Sequence, residues 1–186
     1  NRFPLFNGYC PKKGCDPSIT NNLGSMPTYT PLMRYAEVLL SYLEALNESN
    51  PGAVDQTVLD LTINDIRNRV KLPKYQKSDL PTQEDVRKAV RKERRVELAF
   101  EGFRYFDILR WGIAEQELNH TFTGVKLSDD PDAPNYRGSG SAASPVDQDM
   151  YYQFETRTWS AHNRYFPIPQ SERNVNKNLK QNEGYN

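Results

Sequence analysis

No run of about 18 apolar residues occurs in this chain, so no segment has the length and hydrophobicity of a membrane-spanning helix. Cysteine is scarce: Cys10 and Cys15 are the whole supply, too few to complete a zinc site of four thiolates. They sit in GYCPKKGCDP, where a short disulfide-closed loop and two free thiols are both sterically reasonable. Histidine is equally sparse. His120 and His162 are isolated in sequence, without a neighbouring nucleophile, and no His-Glu-x-x-His, Gly-x-Ser-x-Gly or phosphate-cradling glycine loop is present. An excess of one charge is missing too. The 24 basic side chains are matched by 24 acidic ones, which excludes a broad electropositive footprint for nucleic acid.

What remains is a chain of 186 residues, long enough to bury a real core in one domain. Its apolar fraction is only 37%, against plentiful Tyr, Asn, Pro and Gly, a mixture suited to long ordered loops and polar recognition surfaces. Residues 1 to 31 are interrupted by Pro4, Pro11, Pro17, Pro27 and Pro31 and read as irregular. From Leu32 to about Glu48 the spacing predicts a helix with Tyr35, Leu39, Leu43 and Leu46 on one stripe, widened by Ala36 and Leu40. A second helix is expected from about Val54 to Arg69, with Val58, Leu59, Leu61, Ile63 and Ile66 as its apolar surface; the short connection implies an antiparallel pair. A third starts after Pro81 with a Thr82/Asp85 capping box, runs to about Gly102 and restarts from Phe103 to Trp111, with Gly112 as terminator. Beyond Leu118 the chain turns polar and loop-rich, apart from a short strand expected within residues 150–159. In the tail, Pro167 and Pro169 force extended backbone, with Phe166 and Ile168 expected to point inward. The fold class is therefore mainly α: a helical hairpin plus a long helix over residues 31–113, then a loop-rich subdomain and extended tail over 114–186.

The densest chemistry lies between Thr82 and Gly112. Glu93, Glu97 and Glu101 recur on one helix face, interleaved with Arg94, Arg95, Arg104, Asp107, Arg110 and the aromatic Phe103, Phe106 and Trp111. Paired carboxylates could serve a glycoside hydrolase. Ions so mixed with large aromatics fit paired networks at a packed junction better, since desolvation makes partners obligatory there. Asp129, Asp130 and Asp132 offer hard oxygen atoms to a cation but lack the length and closing glutamate of a calcium loop, and a solvated turn is the alternative. Tyr151, Tyr152 and Trp159 present flat apolar faces with polar rims, useful against small polar ligands such as sugars. Packing over the helices is the competing role. Trp159 stands out because it lies between Thr158 and Ser160 rather than in an apolar run.

Three segments in order resemble the C-terminal part of the SusD/RagB family of Bacteroidetes outer-membrane nutrient-binding lipoproteins. PLMRYAEVLLSYLEALNE at 31–48 is similar to a family helix through Arg34, Ala36, Glu37, Leu40, Glu44 and Ala45. RKERRVELAFEGFRYFDILRWG at 91–112 resembles the strongest family motif through Glu93, Arg94, Arg95, Glu97, Leu98, Glu101, Gly102, Arg104, Asp107, Arg110 and Trp111. YFPIPQSERNVNKNLKQNEGY at 165–185 resembles the closing motif through Pro167, Ile168, Pro169, Glu172, Asn176, Asn178, Leu179, Gln181, Asn182, Gly184 and Tyr185. The resemblance implies tetratricopeptide-like helices and no cofactor. It implies a non-enzymatic role in holding glycans or peptides at the cell surface beside a SusC-like TonB-dependent transporter. A helical scaffold that docks to the transporter or binds peptide, with no small-ligand site in these residues, is the alternative. The resemblance further implies an outer-membrane anchor through an N-terminal lipid absent from this chain, an architectural role for the 91–112 motif, and ligand specificity in variable loops.

Overall fold

A computed structural model describes Lys13, residues 32–133 and residues 144–185. Cys10, Cys15 and Pro31 lie outside the described residues, so the disulfide expectation is not addressed. The described residues fall into two compact units, one running to Phe106 and one from Asp107.

In the first unit, α1 (Tyr35–Ser49) buries Ala36, Leu39, Leu40, Leu43 and Asn47, one face of a 3.6-residue repeat. The stripe differs from expectation at its edges: Tyr35 is 70% exposed, and Leu46 packs only partly against the core. Leu40 and Leu43, both fully buried, set the phase, and Tyr35 at the rim keeps its hydroxyl in water. The single helix expected from Val54 to Arg69 is two: α2 (Gln56–Leu61) and α3 (Ile63–Arg69). They break at buried Thr62, whose hydroxyl donates to the Val58 carbonyl at 2.6 Å and substitutes for the regular ladder. Val54, Leu59, Ile63 and Ile66 are buried, whereas Leu61 is on the outside.

The third helix, α4 (Gln83–Glu97), opens on a capping box in which Asp85 N donates to Thr82 Oγ1 and Thr82 N donates to Asp85 Oδ2, both at 3.1 Å. Its buried positions Val86, Ala89, Val90, Glu93 and Arg94 keep strict helical spacing. It stops before Gly102 because Phe100 and Gly102 take left-handed backbone, with φ of 64° and 83°. α5 (Phe103–Arg110) follows and crosses the unit boundary. It closes at Gly112, with φ of 69°, through bonds from Gly112 N to Leu109 O and from Ile113 N to Ile108 O. α1 packs on α4 and on the α2–α3 pair to enclose the core.

The second unit contains α6 (Ala114–Leu118) and an antiparallel hairpin of β1 (Thr121–Lys126) and β2 (Tyr151–Thr156). Thr121 faces Thr156, Phe122 faces Glu155, Thr123 faces Gln153 and Lys126 faces Tyr151, with irregularities between these pairs. α7 (Gln170–Val175) lies in the tail. Phe166 departs from expectation: it is 72% exposed, while Ile168 is half-buried. Pro169 adopts φ −55° and ψ 139°. Ile168 is the residue held in place, its amide donating to Gln181 Oε1 at 2.8 Å and its carbonyl accepting from Gln181 Nε2 at 3.0 Å.

Candidate functional site

The charged motif gathers at the end of α4. Arg34, just ahead of α1, donates from Nη1 to Glu97 Oε1 at 2.8 Å, from Nε to Glu101 Oε2 at 2.9 Å and from Nη2 to Glu101 Oε1 at 2.7 Å. Arg69, the last residue of α3, grips both Glu97 oxygens at 2.9 and 2.8 Å. Lys13 pairs with Glu101 and donates to the carbonyls of Glu97 and Ala99 at 2.6 and 3.0 Å. Arg34 Nη2 also reaches Glu97 O at 2.9 Å. Two cations thus cap a helix end whose last carbonyls have no partner within the helix. The hydrogen bonds that Arg34 donates to Glu101 raise the Arg34 pKa further above its ordinary value. Burial works against charge on Glu101, yet hydrogen bonds and charge from Arg34 and Lys13 outweigh it and hold this carboxyl below the usual carboxylate range.

The other members of the motif have separate partners. Glu93 accepts from Arg67 at 2.9 Å, and Arg67 also donates to Pro73 O at 2.7 Å and stacks on the Tyr75 ring at 4.3 Å. Buried Arg94 donates to Ser41 Oγ at 3.0 Å and lies 3.9 Å from Glu44. Asp107, buried in the second unit, accepts from Arg110 at 3.0 Å, and the Arg110 guanidinium lies over Trp111 at 4.8 Å. Arg95 is exposed and Arg104 half-buried. Glu93, Glu97 and Glu101 each face a guanidinium. Lys13, Arg67 and Arg69 are the partners that sequence reading missed; the helix spacing placed the acids together but gave no sign of cations from distant segments.

The aromatic candidates do not converge. Tyr151 and Tyr152 are successive residues of β2 and so point to opposite faces. Tyr151 is 39% exposed and carries Lys126 near its ring, 5.8 Å from the centroid, while Tyr152 is half-buried. Trp159 lies beyond the other end of the strand. At roughly 3.3 Å per residue the two ends of β2 are about 17 Å apart, so Trp159 and Tyr151 cannot stack on one sugar ring.

The structure gives Trp159 a partner that its sequence neighbourhood does not single out. The Asn119 carboxamide donates to Trp159 O at 2.9 Å and accepts from Trp159 N. The Trp159 indole nitrogen is buried and has no hydrogen-bond partner among the described residues, and the residue as a whole is half-buried. In the hairpin, Phe122 contacts His120 at 4.2 Å, Phe154 at 6.3 Å and the Arg157 guanidinium at 4.7 Å between centres. Arg157 is bonded to Glu155 at 2.7 Å, which raises the arginine pKa and lowers that of the carboxyl. The β-branched and aromatic Thr121, Phe122, Thr123 and Val125 were the available signal for β1, and with it for Phe122.

Asp130 accepts from the Asp132 amide at 3.0 Å and donates from its own amide to Ser128 Oγ at 3.1 Å, a local turn. Among the described residues no three His, Cys, Asp or Glu side chains converge as a metal site would require, Asp129, Asp130 and Asp132 included. Nor is any described helix long and apolar enough to cross a membrane.

A family model described as the SusD family matches residues 4–185. A SusD-like protein P2 from Formosa agariphila is 38% identical over an alignment of 95 residues that covers 48% of this chain and 18% of that protein. A SusD-like carbohydrate-binding protein from Bacteroides fragilis shares 40% identity with a TM-score of 0.70, over 81% of this chain and 28% of its own. The surface glycan-binding protein A of Bacteroides thetaiotaomicron is 28% identical with a TM-score of 0.50, over 83% of this chain and 24% of its own. The matched part therefore spans between about a fifth and just over a quarter of the length of these relatives.

Proposed function

Since the chain belongs to the SusD family, we propose that it is part of a non-enzymatic glycan-binding protein at the outer-membrane surface. It works there beside a SusC-like TonB-dependent transporter, on a protein held to the membrane through a lipid. The observation that carries the reading is the 40% identity and 0.70 TM-score to a carbohydrate-binding member of the family. Trp159 is the contact residue with best local support. A half-buried indole fixed by backbone hydrogen bonds offers a rigid apolar face, and the hydroxyl-rich rim of Thr158 and Ser160 supplies hydrogen bonds. Tyr151, exposed at the opposite end of β2, would contact a different part of an extended chain of sugars, and Tyr152 supports the strand from its other face. The ion pairs of Glu93, Arg94, Glu97, Glu101, Asp107 and Arg110, with their neighbours Arg95, Arg104 and Trp111, hold the architecture.

A second reading, a scaffold that docks to the transporter or binds peptide, draws on the exposed side of α1, where Met33, Val38 and Tyr42 border a shallow groove. Calorimetric titration with an oligosaccharide panel separates the two. Binding that is lost in Trp159→Ala supports the glycan reading. Absence of any heat of binding, combined with pull-down of the transporter, supports the scaffold.

A further inference from the structure

We infer that the groove between the start of α1 and the outer side of α3 is a second sugar-binding site, fitted to a neutral, hydroxyl-rich saccharide. The inference rests on the glycan-binding reading above and adds a site in the helical unit, remote in sequence from Trp159. The groove has a volume of about 370 Å³, within the range of small-ligand pockets. Buried Ala36, Leu39 and Ile66 form an apolar lining, so its shape is fixed by the core itself.

Tyr35 stands at the groove, 70% exposed, and its hydroxyl makes no hydrogen bond with any described residue. On α3, Asp65, Asn68 and Arg69 follow at i, i+3 and i+4 and so share a face. The Asp65 and Asn68 side chains are exposed and have no partner among the described residues. An aromatic face beside a free carboxylate and a free carboxamide matches the two surfaces of a sugar: C–H groups on one side, hydroxyls at the rim.

Charge decides the class of saccharide. Arg34 and Arg69 also line the groove, but both are already bonded to Glu97, and Arg34 to Glu101 as well. With Lys13 also on Glu101, the three cations Arg34, Arg69 and Lys13 are balanced by Glu97, Glu101 and the groove's own Asp65, so a sulfated or uronic-acid sugar would meet no surplus cation. Arg69 keeps a 59% exposed side chain, held in place by its two bonds to Glu97, and can donate a remaining N–H to a hydroxyl without mobility to lose.

The test is calorimetric and NMR titration of the 186-residue chain with neutral gluco-, galacto-, manno- and xylo-oligosaccharides, and with a heparin-derived sulfated oligosaccharide as the charged comparison. Tyr35→Ala and Asp65→Ala change exposed positions only, and thermal melts verify that they fold. Wild-type protein should show amide shifts in residues 65–69 with a neutral sugar. Each variant should weaken that site about tenfold while leaving the Trp159 site intact. If Trp159→Ala abolishes all binding and the groove variants change nothing, the groove site is overturned and the main reading stands. Binding unchanged in all three variants overturns both sites, as does absence of binding in the wild type. Shifts at 65–69 with the sulfated sugar alone overturn the neutral assignment.

Discussion

The carboxamide of Asn119 meets both backbone polar groups of Trp159, its Nδ2 donating to the carbonyl at 2.9 Å and its Oδ1 accepting from the amide. One side chain here imitates the edge of a β-strand and fixes a residue that lies outside the hairpin. Asn119→Ala leaves both groups to water, at a cost of about 1 kcal/mol. The expected outcome is a modest fall in melting temperature together with a several-fold loss of sugar affinity, measured by calorimetry. Asn119→Asp keeps the acceptor and should lose only part of each.

Glu97 joins three parts of the helical unit, because Arg34 precedes α1, Arg69 ends α3 and Glu97 ends α4. Its side chain is only 10% exposed. Glu97→Ala leaves two guanidinium groups without their shared carboxylate, and a loss of about 3 kcal/mol is expected by urea denaturation. Glu155→Ala, which breaks an exposed pair with Arg157 at the hairpin, should leave the midpoint unchanged.

The helical body was legible in the sequence where local rules decide it. Thr82 and Asp85 make the expected capping box, and Gly112 takes the left-handed turn that ends α5. Thr62 was not legible as a break, since a buried threonine that bonds back to Val58 has the same sequence appearance as one inside a helix. Phe100 hid the end of α4 for a similar reason: a left-handed phenylalanine is rare, and its neighbours are strong helix formers. The candidate site was harder still. Trp159 could be singled out by composition, but Asn119 reaches it only through a long-range amide clamp, and Phe122 meets Phe154 and Arg157 only through the pairing of β1 with β2. No periodicity encodes such contacts.

Glu101 gives a pH dependence with a definite sign. Its carboxyl lies below the usual range in the folded protein, against the opposing effect of burial, because Arg34 and Lys13 bond to it. A depressed folded pKa contributes stability that is fully present above the unfolded value, near 4.3, and that is lost as pH falls through the folded value. Wild type and Glu101→Gln should therefore differ by a constant margin in melting temperature from about pH 6 upward, relative to the unfolded range. The two profiles should converge as the pH drops below about 4. Parallel profiles down to acid would show that the ion pair contributes nothing to the linkage.

Gly184 and Gly112 both take left-handed backbone, with φ of 87° and 69°, yet their surroundings differ. A Cβ on Gly112 meets nothing within 4 Å, so alanine there costs only the conformational strain, about 1 kcal/mol. A Cβ on Gly184 runs into the Cβ and ring of His162. That ring packs edge-on against Tyr185 at 4.9 Å, and Tyr185 donates its hydroxyl to Tyr165 O at 2.9 Å. The imidazole cannot retreat without disturbing this closure of the tail. Gly184→Ala should therefore lower the melting temperature more than Gly112→Ala, and hydrogen exchange should rise at Tyr165 and Tyr185. The nearest atom is the His162 Cβ, which alanine would keep, so a His162→Gly background is needed to remove the collision. Measured against His162→Gly alone, the remaining cost of Gly184→Ala should fall to that of Gly112→Ala.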